Sequence, residues 1–156
     1  MMLIECMKHS VSKEGETMNI LVIDAQGGGI GRQLITKLLE KLPEADIVAA
    51  GTNSMATNAM IKAGAKKAAT GENAIRYCAS QADIITGPIG IIVANAMLGE
   101  IAPVISESVG SSSATKVLVP VTHCNTIIAG PKDLPIKDCI EDAVDRIVNL
   151  YVGEEN

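Results

Sequence analysis

From Asn19 onward the apolar positions follow two alternating rhythms. Short, nearly continuous apolar runs rich in β-branched residues suit strands buried on both faces. They are NILVID (19–24), DIVAAG (46–51), the weaker KKAAT (66–70), DIITG (83–87) and KVLVPV (116–121), with TIIAG (126–130) as a short sixth. Between them the period lengthens to that of an amphipathic helix. Over 32–42, Leu34, Ile35, Leu38, Leu39 and Leu42 share one face, and Pro43 stops the run. A second helix over 54–64 is capped by Asn53 or Ser54 and ends at Gly64. ENAIRYCASQ (72–81) is a third, and a fourth is expected near 101–109, preceded by a turn of helix near 93–98. The last, 136–151, gathers Ile136, Cys139, Ile140, Ala143, Val144, Ile147 and Tyr151 on one face behind Pro135.

Strands alternating with helices require parallel pairing through right-handed crossovers. The expected fold is therefore α/β: one doubly wound parallel sheet, Rossmann-like, of five or six strands in the order 3-2-1-4-5-6, with helices on both faces. Residues 1–17 show no clear period and read as a poorly ordered extension ahead of Met18, which looks like a natural translation start. The domain is expected over 18–153, with 154–156 as a tail.

Composition narrows the function classes. There is no Trp or Phe and the only two Tyr are Tyr77 and Tyr151, so the core must be aliphatic. A net charge of −5 with 13 scattered basic residues offers neither a basic stripe nor a stacking platform, which argues against nucleic acid. Four separated cysteines without a CxxC pair suit a reduced compartment and give no structural metal. No signal peptide or membrane span is read, and the expected location is cytoplasmic.

Candidate chemistry collects at the ends of the strands, where open parallel sheets bind ligands. Asp24-Ala25-Gln26-Gly27-Gly28-Gly29-Ile30-Gly31 follows the first strand and opens a helix. That arrangement presents free N–H groups and a positive helix end to a phosphate. The GxGxxG fingerprint is not met, because Arg32 takes its third glycine position. GGGIG is similar to the GxxxGIG turn of short-chain reductases, with Ala25 at the first glycine, and no Lys-Ser/Thr pair makes a Walker loop. The other reading is that the glycines only permit close helix–strand packing. Thr52 and Asn53 stand where a ribose-binding acid would end the second strand, so a ribose would be held there by hydroxyl and amide groups; capping of the next helix is the alternative. Gly71, Gly87, Pro88 and Gly90 complete the set of strand-end candidates for a cofactor.

Three residues are candidates for catalysis. Cys124 and His123 form a thiol–imidazole pair in sequence, but neighbours on an extended chain point to opposite sides. They read as pocket lining or turn, as nucleophile and base, or, with Asp24, as metal ligands without supporting spacing. Asp24 either takes part in chemistry or accepts hydrogen bonds from the turn that follows it. The Tyr-x-x-x-Lys pair of short-chain reductases is absent, since Gln81 and Glu155 follow Tyr77 and Tyr151 at that spacing.

With MNILVIDAQGGGIGRQL, GTNSMATNAMIKAGA, ATGENAI, ADIITGPIGI, LGEI and VPVTHCN in view, the chain from about Met18 to Val148 resembles a family of short, uncharacterised Rossmann-like proteins, found mainly in anaerobic bacteria and grouped as a domain of unknown function. The resemblance implies the fold and a start near Met18; it brings no reaction, ligand or catalytic residue. The preferred reading is a nucleotide- or dinucleotide-binding protein with phosphates at 27–31, NAD or NADP being the candidate cofactors. The alternatives are a small NAD(P)-dependent or Cys/His-using enzyme completed as a homo-oligomer, and a scaffold with a vestigial site.

Overall fold

The computed structural model describes residues 17–121, 125–130 and 134–153. In chain order they form β1 (Asn19–Asp24), α1 (Gly29–Lys41), β2 (Asp46–Gly51), α2 (Ser54–Lys62), β3 (Lys67–Thr70), α3 (Glu72–Gln81), β4 (Ile84–Pro88), a 3-10 turn (Ile89–Ile92), α4 (Pro103–Ser111), β5 (Thr115–Val119) and α5 (Ile136–Val152). The five strands make one parallel sheet in the order β3-β2-β1-β4-β5. The chain thus winds outward from β1 to β3, then returns to the centre and winds the other way. The order reverses between β1 and β4, where the crevice of a doubly wound sheet lies.

Alternation along β1 divides the core in two. Ile20 and Val22 face a layer built from Leu34, Ile35 and Leu38 of α1, Met60 of α2, and Ile140, Val144 and Ile147 of α5. Leu21 and Ile23 face the opposite layer, with Ile75 and Ala79 of α3 and Ile105 and Val109 of α4. Burying each such Leu or Ile contributes about 1.5–3 kcal/mol, so an aliphatic core suffices without aromatic rings. Between α1 and α5, Lys37 pairs with Glu141 and Lys41 with Asp145.

Three expectations need correction or fall outside the structure. Residues 126–130 form no strand: Ile127 is 94% exposed, and the sheet ends at β5. Two adjacent isoleucines raise strand propensity, but a strand also needs an edge to pair with, and this segment lies on none. The expected helical turn near 93–98 is a set of tight turns in which Asn95, Met97 and Leu98 take φ of 60°, 57° and 57°, on the left-handed side that a right-handed helix cannot use. Residues 1–16, and with them most of the expected extension, lie outside the described residues. No described helix is long and apolar enough to cross a membrane.

Candidate functional site

The four loop glycines separate into two kinds. Gly28 sits at φ +70°, and a Cβ there would stand 2.8 Å from the Ala56 backbone in α2. A Cβ at Gly31 would stand 2.6 Å from Met60 Sδ and 3.0 Å from Asp24 Cβ. These two let β1, α1 and α2 close on one another, as the packing reading requires. Gly27 and Gly29 differ, since a Cβ at either would meet nothing within 4 Å and neither has a positive φ. Both are exposed, and their bareness serves no contact within the fold.

The N–H groups of the loop divide in a similar way. Asp24 continues the alternation of Ile20 and Val22, so its side chain turns toward α1. Its carboxylate accepts from Ala25 N–H at 2.8 Å and Gly31 N–H at 2.7 Å. Helix α1 has no side-chain cap on Gly28 and no acid in its first turn, so Asp24 supplies both from the end of β1. Of the two readings of Asp24, the structure shows hydrogen bonding from the turn. Burial pushes its carboxyl above the ordinary range, the backbone N–H groups of the turn pull the other way, and the charge of Glu100 adds to the rise. Gly28 N–H bonds Ala25 O at 3.0 Å, and Gln26 N–H is taken by Glu100 Oε2 at 2.7 Å. The N–H groups of Gly27 and Gly29 have no partner among the described residues.

Thr52 and Asn53 do come to this corner. Thr52 N–H bonds Asp24 O at 3.1 Å, tying the ends of β1 and β2 together. Asn53 caps α2 through Oδ1 on Ala56 N–H at 2.9 Å, while its Nδ2 donates to Gln26 O at 3.0 Å. Capping and contact with the glycine loop are thus compatible roles of one side chain. Gly87 flanks β1 on the other side, so close to Ile23 O that a Cβ would stand at 2.2 Å. Pro88 ends β4 and Gly90 is buried in the 3-10 turn after it. Gly71 lies apart: its N–H bonds Gly51 O at 2.8 Å on the outer side of β2, away from β4. His123 and Cys124 lie outside the described residues.

Sequence reading missed Glu100. Its Oε2 accepts from Gln26 N–H and from Thr52 Oγ1 at 2.9 Å, and Asn53 Nδ2 stands 3.4 and 3.5 Å from its two oxygens. The available signal was its isolation, because it is the one charged residue between Asp83 and Glu107. On the outer side of the loop, a groove of about 1100 Å³ runs between α1 and α2, bordered by Gly27, Gly29, Arg32, Ser54, Asn58 and Lys62.

Among solved structures, a dodecameric FMN-dependent Ubix-like decarboxylase from Escherichia coli O157:H7 aligns over 89% of this chain and 96% of its own, at 15% identity and a TM-score of 0.42. That similarity is too low to transfer a ligand, a reaction or an assembly. No curated protein matches the chain significantly. Residues 19–152 match the family described as a domain of unknown function (DUF3842), and the chain belongs to that family.

Proposed function

We propose that this protein binds a nucleotide at the carboxyl end of β1, with a phosphate lying against Gly27 and Gly29. The observation that carries the reading is that these two exposed glycines, unlike Gly28 and Gly31, answer no packing need and hold N–H groups without a partner among the described residues. Bare backbone with free donors just ahead of a helix suits a phosphate oxygen. Because Ala25, Gln26 and Gly31 direct their N–H groups to Asp24 and Glu100, the cradle is narrower than the whole 27–31 loop. Arg32 and Lys62 border the adjoining groove and supply positive charge toward which further phosphate would extend.

The test is a thermal-shift panel of the full chain with NAD, NADP, FAD, ATP, GTP, S-adenosylmethionine and coenzyme A, repeated on Gly29→Val. A nucleotide at ~100 times its Kd stabilises the native state by roughly 2.7 kcal/mol, a rise of several degrees for a chain of this size. The expected result is a shift with at least one nucleotide that is lost in Gly29→Val while the variant still unfolds cooperatively. No shift with any of them refutes nucleotide binding; a shift that survives in Gly29→Val refutes the site.

A further inference from the structure

We infer that Glu100 is the ribose-binding residue of this site, and that the ligand is a nucleotide with free ribose hydroxyls rather than one carrying a 2′-phosphate. The inference rests on the nucleotide reading above. In doubly wound folds that bind dinucleotides, an acid at the end of the second strand accepts the 2′-hydroxyl. This chain has Thr52, Asn53 and Ser54 there instead. The structure brings a carboxylate to the same corner from the far side of the crevice: Glu100, on the segment between β4 and α4, hydrogen-bonds Thr52 at the end of β2 and Gln26 beside the bare glycines.

The carboxylate is anchored on one oxygen and open on the other. Both short bonds, from Gln26 N–H at 2.7 Å and Thr52 Oγ1 at 2.9 Å, fall on Oε2. Among the described residues Oε1 has only Asn53 Nδ2, at 3.5 Å. An ionised carboxylate offers about four acceptor positions and no donor, so Oε1 is fitted to receive hydroxyl protons. The same group repels a phosphate placed on that hydroxyl. The segment that delivers Glu100 holds three non-glycine residues at positive φ (Asn95, Met97, Leu98), pinned by Asn95 N–H to Ile101 O at 2.7 Å and Ile101 N–H to Ala96 O at 3.2 Å. Conformations of this kind persist where surrounding structure holds them, and they cluster at ligand sites.

Calorimetric titration of the full chain with two matched pairs, NAD against NADP and ATP against 2′-deoxy-ATP, tests the assignment, with Glu100→Gln and Gly29→Val in parallel. Wild type should bind the member with the free 2′-hydroxyl roughly tenfold tighter or more, the range of one charge-assisted hydrogen bond. In Glu100→Gln the ratio should collapse, chiefly through weaker binding of that member. NADP bound as tightly as NAD, or a ratio unchanged in Glu100→Gln, overturns the assignment while leaving a Gly29-dependent nucleotide site standing. Preference for NADP that is lost in Arg32→Ala also overturns it, by putting the ribose on the groove side. The wild-type ratios need no variant, so a poorly folded Glu100→Gln would not protect the inference. Absence of binding in both pairs overturns this inference, while the nucleotide reading then stands or falls with the wider panel.

Discussion

The division of the loop glycines into two kinds can be tested by stability alone. At Gly28 an alanine meets two independent penalties. Holding a non-glycine residue at φ +70° costs about 1–2 kcal/mol. A methyl group 2.8 Å from the Ala56 Cα and carbonyl oxygen forces backbone rather than a flexible side chain to move, and overpacking of that kind costs about 1–3 kcal/mol. Gly28→Ala should therefore lose roughly 3 kcal/mol, lowering Tm by about 10 °C for a domain of this size. At Gly29, the first residue of α1, an added methyl meets nothing within 4 Å and φ is unremarkable. Gly29→Ala should fall between no change and a gain of about 1 kcal/mol, from the smaller entropy of the unfolded chain. Denaturant and thermal unfolding of both variants beside wild type would measure the pair. A loss below about 1 kcal/mol at Gly28, or a comparable loss at Gly29, would show that packing does not separate them, and the basis for placing a ligand at Gly27 and Gly29 would go with it.

Two further outcomes follow from buried polar groups. The Asp24 carboxyl is held above its ordinary range, chiefly by burial, so the native state keeps its proton to higher pH than the unfolded chain. Its ionisation then removes stability as pH rises from about 4 through the raised value. Tm profiles of wild type and Asp24→Asn should show wild type losing ground to the variant across that window; wild type gaining ground instead would contradict the direction. Thr86 is fully buried and its hydroxyl has no hydrogen-bond partner among the described residues. Thr86→Val should raise stability by about 1–3 kcal/mol by removing that desolvated group, and a lower Tm would mean that the hydroxyl is paired in solution.

Local pattern and tertiary contact contributed differently to this protein. β1 and β2 run over the residues that their apolar runs mark, and α3 matches its predicted span. A strand buried on both faces and a helix buried on one each write their burial into consecutive residues, where periodicity can be read. The alternation of elements also pointed to the observed sheet order, since right-handed parallel crossovers leave few ways to wind it. Isoleucines 127 and 128 misled because apolar content reports burial only where a surface exists to bury against.

The site was half legible. Glycines at the end of the first strand drew attention to the corner proposed as the site, but sequence treats Gly27, Gly28, Gly29 and Gly31 alike. Only the approach of α2 separates the two that the fold needs from the two that it does not. Asp24 was visible, yet whether it faced a ligand or its own turn depended on which side of β1 it pointed to and on where α1 began. Glu100 reaches Gln26 across 74 positions of chain, through a segment whose left-handed residues carry no glycine or proline signature. The sequence by itself determined most of the strands and helices and the parallel class of the sheet, because each is set by neighbours along the chain. Tertiary structure alone decided which backbone stays bare and which carboxylate stands beside it, because both depend on the approach of segments remote in sequence.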